Sequence, residues 1–136
     1  MRRNIRYCFY TGGNGSMQTA LDLAAAARQQ GYDLLILGIP KTVDNDICNI
    51  DHCLGFGSAA RFVAMAVREI SLDQRALPTP VSIVEVMGRN TGWLAVASIL
   101  ARQASDDPPR FIYAPESPID PSEFLARVER LLRRQP

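Results

Sequence analysis

The feature that most constrains the fold of this chain is a regular alternation of short apolar runs with longer segments of helical periodicity. The apolar runs are rich in β-branched, aliphatic and aromatic residues, and they are predicted strands over residues 5–10, 34–39, 81–86 and 110–114. The segments between and after them place apolar residues at helical spacing, and they begin near Met17, Ser58, Trp93 and Asp120. Repeated strand–helix units of this kind predict an α/β fold, in which helices cover a parallel sheet in three layers.

Local signals mark the ends and faces of these predicted helices. Gly31 is the expected left-handed residue that follows the first helix. At the start of the last helix, Asp120 is the predicted cap, Pro121 the first-turn proline and Glu123 the acidic partner of the cap. In the second helix, Phe62 and Met65 belong to an apolar stripe that is expected to face the core.

The turn after the second predicted strand carries most of the reactive side chains. Within six residues it holds Lys41, Thr42, Asp44 and Asp46, directly after Pro40, which cannot continue a strand ladder. Two carboxylates one residue apart repel each other and stay ionised only with water, a cation or a metal nearby. Open α/β sheets bind their ligands at the carboxyl ends of strands, so this turn is a candidate site. The alternative interpretation is an ordinary turn rich in Asp and Asn.

Two further turns follow the first and third predicted strands. The glycine-rich run at residues 12–16 lets backbone amides approach a ligand, and the helix that follows favours anions at its N-terminus. It matches neither a Walker A loop nor a dinucleotide fingerprint, and a tight turn that only needs glycine is the alternative. Arg89, beside Gly88, is suited to fork onto a phosphate, or else is a solvated surface arginine.

Composition and charge exclude several classes of function. The chain has 136 residues, with 15 Lys and Arg against 14 Asp and Glu, and its net charge of +1 gives no electrostatic case for nucleic acid or an anionic membrane. The longest apolar run, residues 93–101, is too short to span a bilayer, and no secretory pattern opens the chain. Cys48, His52 and Cys53 cluster, but without paired zinc spacing they favour free thiols in a reducing, cytoplasmic setting.

Taken together, the three turns resemble the phosphofructokinase family closely. The resemblance rests on the sequence Gly-Gly-Asn-Gly-Ser at 12–16, Pro-Lys-Thr-Val-Asp-Asn-Asp at 40–46 and Met-Gly-Arg at 87–89, in this order at strand ends. It covers nearly the whole chain and implies truncated, Rossmann-like phosphofructokinase lobes. Residues 1–54 would be part of the larger, donor-binding lobe, and residues 55–136 most of the smaller, sugar-phosphate-binding lobe.

The family resemblance also implies an activity and a set of roles. Members transfer the terminal phosphoryl group of ATP or diphosphate to the 1-hydroxyl of fructose 6-phosphate, in glycolysis and with Mg²⁺. Asp44 matches the general base, Thr42 a substrate-binding hydroxyl and Asp46 a carboxylate that supports the base and the metal. Lys41 is suited to neutralise charge on the phosphates. The sugar-phosphate segment is Met87, Gly88 and Arg89, and the donor loop is Gly12, Gly13, Asn14, Gly15 and Ser16.

Some positions depart from the family pattern. Asn14 stands where many members have a metal-binding aspartate, so this neutral amide is a weaker candidate ligand for Mg²⁺. Gly15 resembles the ATP-using type, whereas Lys41 resembles the diphosphate-using type, and the donor stays open between the two. Our hypothesis is that Gly15 decides sterically by leaving room for a nucleotide. Pro80 occupies the place of an arginine that reaches into a neighbouring subunit.

The size of the chain gives a second hypothesis. Family members are more than twice as long, and we expect the full-length form to be a homo-oligomer. A cleft that lacks one wall neither excludes water nor completes a phosphate clamp, so we expect the isolated 136-residue chain to be inactive. The alternative function is a non-catalytic module that binds phosphate or a nucleotide, or an assembly partner.

Overall fold

The computed structural model describes residues 3–78 and 81–133, which form two compact units, Met1–Gly57 and Ser58–Pro136. Pro80 lies outside the described residues. The elements in chain order are β1 (Tyr7–Gly12), α1 (Asn14–Gln29), β2 (Leu35–Pro40), α2 (Phe56–Ala76), α3 (Trp93–Ala97) with a 3₁₀ turn (Ser98–Ala101), and α4 (Pro121–Leu132). The chain divides close to the boundary predicted after residue 54, and the identity of the two units as lobes stays a prediction.

The first unit is built on two parallel strands. β1 and β2 pair in register from Tyr7 opposite Leu35 to Gly12 opposite Pro40, and α1 supplies the crossover that parallel strands require. α1 buries Ala20 and Ala27, small residues that permit close packing. The predicted alternation of strand and helix and the parallel pairing are therefore confirmed in this unit.

The prediction of strands at residues 81–86 and 110–114 was wrong, because neither segment is hydrogen-bonded into a sheet. Among the described residues the sheet has two strands, β1 and β2, and neither segment joins it. Both segments instead line a cavity of about 1470 Å³ together with α2 and α4, and Ile83 is 82% exposed. A segment rich in β-branched and aromatic residues has side chains that suit a pleated sheet. A strand also needs a neighbouring strand to pair with its backbone N–H and C=O groups.

The second unit has a small core on one face of α2. Val63 and Val67 of this helix pack with Ala101, and Val86 contacts the cluster. The expected stripe was wrong, because Phe62 is 73% exposed and Met65 50% exposed. The helix also begins earlier than predicted, so that Ser58 lies inside it rather than capping it.

The end signals at Asp120, Pro121 and Gly31 are confirmed. Asp120 Oδ1 accepts hydrogen bonds from Ser122 N at 2.8 Å and Glu123 N at 3.4 Å, and α4 begins at Pro121. Gly31 adopts the left-handed conformation after α1, with φ of 64°. Within residues 3–78 and 81–133, no helix combines the length and the apolar character needed to cross a membrane.

A carboxylate joins the end of α2 to the turn that follows the 3₁₀ helix. Asp107 Oδ2 accepts from the backbone amides of Gln103 and Ala104, both at 2.9 Å, and Oδ1 lies 3.2 Å from Arg75 Nη2. The two amides, and then the charges of Arg75 and Arg110, hold the pKa of Asp107 below its usual value of 3.8. Since the ionised form is the one that is bound, its stabilising effect is present above the unfolded-state pKa and is lost as the pH falls through the folded-state pKa.

We therefore expect the Asp107→Asn variant to be less stable than the wild type near neutral pH, with a gap that closes in acid. Urea unfolding between about pH 6 and about pH 2 should show the difference in free energy of unfolding shrinking below the ordinary carboxyl range. Asp106→Asn is the matched control, because its side chain is 92% exposed. A gap that stays constant with pH would contradict the assignment.

Candidate active site

The glycine-rich run begins the first helix instead of forming a separate loop. Gly13 is the N-cap of α1, and the helix starts at Asn14, three residues before the predicted start at Met17. A side-chain carbon at Gly12 would lie 2.6 Å from Ser16 Cβ, so this close approach requires glycine. The unpaired amides of the first helical turn thus lie at the carboxyl end of β1, where they favour an anionic ligand.

The two-carboxylate turn lies beside this helix start. Lys41 N donates to Gly12 O at 2.8 Å, which continues the strand pairing into the turn. A side-chain carbon at Gly13 would be 3.6 Å from Lys41 O and 3.7 Å from Thr42 Cβ, so the two turns are in contact. Asp44 N donates to Thr42 Oγ1 at 3.1 Å, which ties the predicted base to the predicted substrate-binding hydroxyl.

Asn14 and Asp46 join the two turns directly. Asn14 Nδ2 donates to Asp46 Oδ2 at 2.8 Å and to the Asp46 carbonyl oxygen at 3.3 Å. The second carboxylate oxygen, Asp46 Oδ1, is buried and has no hydrogen-bond partner among the residues that the structure describes. A neutral amide here holds the carboxylate without the repulsion that an aspartate at position 14 would bring.

The unpartnered Asp46 oxygen is of the kind that would fit a Mg²⁺ ion. Magnesium prefers oxygen ligands and commonly binds through one or two carboxylates plus phosphates. The unpartnered Asp46 Oδ1 meets that requirement. Among residues 3–78 and 81–133, no group of three or more His, Cys, Asp or Glu side chains is placed to hold a metal.

Asn45 is a residue of this turn to which the sequence assigned no role. It is 7% exposed and has a φ of 57°. Its Nδ2 donates to the Asp51 carbonyl oxygen at 3.2 Å, and its Oδ1 accepts from Cys53 N at 2.8 Å. Asn tolerates the left-handed region better than most residues, which is the one sequence signal that singles it out.

The cysteine and histidine cluster has a packing role in the described structure. Cys53 is buried, at 3% exposure, whereas Cys48 is exposed. The His52 ring packs edge-on against Phe56, with 5.5 Å between ring centroids.

The third predicted turn belongs to the second unit. Gly88 has a φ of 126°, and a side chain there would collide with the Thr91 carbonyl oxygen, so the turn requires glycine. Met87 and Arg89 are exposed. Gly92 N donates to Glu116 Oε1 at 2.8 Å, which anchors the end of this turn to residues 114–117. That Met87, Gly88 and Arg89 act together with the turns of the first unit stays a prediction.

Fold and site together define an α/β protein with a helix start and a carboxylate turn side by side at the ends of two parallel strands. Comparison with known proteins gives this class a family. The sequence model described as Phosphofructokinase matches residues 1–136, and the chain belongs to the phosphofructokinase family.

The relatives include users of both phosphoryl donors. The chain is 46% identical over 134 residues to the pyrophosphate–fructose 6-phosphate 1-phosphotransferase of Xanthomonas campestris pv. campestris (strain B100), covering 96% of this chain and 32% of that protein. It is 38% identical over 128 residues to the ATP-dependent 6-phosphofructokinase of Amycolatopsis methanolica, covering 92% of this chain and 27% of that protein. The chain thus spans between about a quarter and a third of the length of the curated relatives it matches.

A solved structure confirms the α/β fold class. The crystal structure of the pyrophosphate-dependent phosphofructokinase from Marinobacter aquaeolei superposes with a TM-score of 0.78 at 43% identity. The match covers 96% of this chain and 34% of that one.

The Asn14–Asp46 contact predicts how an acidic residue at position 14 would behave. In the Asn14→Asp variant a hydrogen bond to a charged group is replaced by repulsion, so we expect a loss of about 2 kcal/mol in the free energy of unfolding without Mg²⁺. Added Mg²⁺ should raise the melting temperature of this variant more than that of the wild type. Asn49→Asp, at an exposed asparagine, is the control and should respond as the wild type does. Equal Mg²⁺ responses in all three proteins would contradict a metal site at this contact.

Proposed function

We propose that this protein transfers a phosphoryl group from ATP or diphosphate to the 1-hydroxyl of fructose 6-phosphate, giving fructose 1,6-bisphosphate. The observation that carries the proposal is the contact between the helix start at Asn14 and the carboxylate turn at Asp44 and Asp46, at the ends of two paired strands. Phosphoryl transfer needs positioned phosphates and a base near the attacking oxygen, and these two turns supply the groups for both. The family and the activities for which its relatives are named support the same reaction.

Each side chain of the carboxylate turn has a role in this proposal. Asp44 takes the proton of the 1-hydroxyl while the hydroxyl oxygen attacks the terminal phosphorus of the donor. The bond from that phosphorus to the leaving phosphate or ADP then breaks. Thr42 binds the sugar, and its Oγ1 also holds the Asp44 backbone amide at 3.1 Å. Lys41, which is exposed, offsets negative charge on the transferred group.

The donor phosphates bind at the start of α1. The backbone amides of residues 13–16 point to the anion, and Ser16 adds a hydroxyl. Asp46 and Asn14 would hold Mg²⁺, which supplies charge neutralisation for the phosphates when it is bound. Met87, Gly88 and Arg89 bind the sugar phosphate, and the Arg89 guanidinium forks onto its oxygens.

The wider setting follows the family. The reaction belongs to glycolysis in the cytoplasm, the active form is a homo-oligomer, and neither nucleic acid nor a membrane is a partner. Residues 1–54 contribute to the donor side and residues 55–136 to the sugar-phosphate side. Because the chain spans about a third of its relatives, we propose that the 136 residues alone turn over little substrate and that activity needs the complete protein.

Gly15 bears on the choice of donor. It is the second residue of α1, it is exposed, and a side-chain carbon there would meet nothing within 4 Å. Our proposal is that this open space accommodates the nucleotide of ATP. We expect Gly15→Asp to lower kcat/KM for ATP by about 100-fold, by filling the space and adding charge, with a much smaller effect on diphosphate.

The measurement is a coupled assay of fructose 1,6-bisphosphate with each donor, on the complete reading frame that contains these residues. Gln29→Asp adds the same charge at the far end of α1 and should leave both donors unaffected. Wild-type activity with diphosphate alone would overturn the steric role of Gly15.

The base assignment has a separate test. Asp44→Asn should lower kcat by about 1000-fold, because general base catalysis contributes about 100- to 10000-fold, while donor binding measured by calorimetry is retained. Asp51→Asn, at an exposed aspartate of the same loop, is the matched control and should keep its kcat. If the wild type binds the donor but shows no turnover, the alternative of a non-catalytic phosphate- or nucleotide-binding module replaces the kinase proposal.

A further inference from the structure

Asn45 lies between the two carboxylates of the turn, and its side chain is turned into the protein. It is one of two buried polar or charged residues in the part of the chain that the structure describes, the other being Ser98. A polar side chain is buried at little cost only when its hydrogen bonds are made, and Asn45 uses both ends of its amide. Loops normally lie at the surface, so the burial of this turn side chain distinguishes it.

The two hydrogen bonds of the Asn45 amide close a loop. Nδ2 donates to the Asp51 carbonyl oxygen at 3.2 Å, and Oδ1 accepts from Cys53 N at 2.8 Å. Cys53 is itself buried, at 3% exposure, so the loop is fixed at a point in the interior. Without the amide, the buried Cys53 N–H would lose its acceptor, and the loop from 46 to 53 would be released.

The backbone of Asn45 also sets the direction of its neighbours. Its φ of 57° is left-handed, a conformation that reverses the local course of the chain. The amide of Asn45 contacts the 51–53 segment, while the carboxylate of the next residue, Asp46, contacts Asn14 at the start of α1. On the other side, the amide of Asp44 is bonded to Thr42. The side chain of Asn45 thus anchors the loop, whereas the side chains of its two neighbours, Asp44 and Asp46, are proposed to face substrate and metal.

We propose that Asn45 is a positioning residue for phosphoryl transfer. By fixing the left-handed turn and the loop behind it, it sets where the Asp44 and Asp46 carboxylates lie without touching substrate itself. This inference rests on the proposed function, because it assigns a task to those carboxylates. A displacement of about 1 Å in a reacting group is enough to cost about 100-fold in rate, which makes such an anchor consequential.

Two substitutions separate the parts of this role. Asn45→Gly keeps the left-handed backbone at low cost but removes both side-chain hydrogen bonds, so it is the variant that should fold. Asn45→Ala removes the bonds and also strains the backbone. Asn49 provides the control, because it too is a left-handed asparagine, with φ of 64°, but it is exposed. The matched control variant is therefore Asn49→Gly.

The first measurement is kinetic, on the complete reading frame. We expect Asn45→Gly to lower kcat by about 100-fold with a change of less than about threefold in KM for fructose 6-phosphate, and Asn49→Gly to match the wild type. Activity is expressed per donor-binding site counted by calorimetry, so that loss of folded protein alone does not lower kcat. A kcat within about twofold of the wild type would overturn the proposal.

The second measurement does not depend on turnover. If Asn45 positions Asp46, removing the Asn45 side chain should weaken the Asn14–Asp46 contact. The effect of the double variant, Asn14→Ala with Asn45→Gly, on the unfolding equilibrium constant should then differ by about fivefold from the product of the two single effects. For Asn14→Ala combined with Asn49→Gly, the effect on the unfolding equilibrium constant should equal the product of the two single effects to within about twofold. Independent effects at positions 14 and 45 overturn the positioning role even if the enzyme is active. If the variants show the coupling but the folded wild type transfers no phosphoryl group, the proposed function is overturned while the positioning of Asp46 stays supported.

Discussion

The site in the first unit depends on the parallel register of β1 and β2. Because Gly12 lies opposite Pro40, both strands end at the same edge, and Lys41 N continues the pairing by donating to Gly12 O at 2.8 Å. A slip of one residue would turn every side chain of one strand to the other face and move the carboxylate turn away from the helix start. The proposed chemistry therefore depends first on the pairing of β1 and β2, which brings the reactive turns together.

A neutral amide holds the Asp46 carboxylate at this edge. Asp46 accepts from the amide of Asn14, and the backbone on either side is fixed by Thr42 and Asn45. A cationic partner would satisfy Asp46 and lower its attraction for a metal, whereas an amide leaves its negative charge uncompensated. The buried Asp46 Oδ1 then remains as a ligand for Mg²⁺ carried in with the phosphates.

The sequence predicted those parts of the fold whose cause is local. The β1–α1–β2 unit, the left-handed Gly31 and the Asp120 cap follow from periodicity and from end signals within a few residues. The strands at 81–86 and 110–114 did not form, because backbone pairing depends on a distant neighbour that composition does not reveal. The buried face of α2 was misassigned for a related reason, since a helix rich in apolar residues offers more than one stripe and packing selects among them.

The site shows the same division between local and distant causes. The turns at 12–16 and 40–46 were recognisable from their residues, and the structure adds that Asn14 reaches Asp46 across 32 positions of sequence. Asn45 escaped notice because an asparagine in a turn has an ordinary explanation, and only its burial and its bonds to Asp51 and Cys53 distinguish it. The third turn also includes a distant bond, from Gly92 N to Glu116 Oε1 across 24 positions of sequence, and the residues of the turn alone do not reveal it.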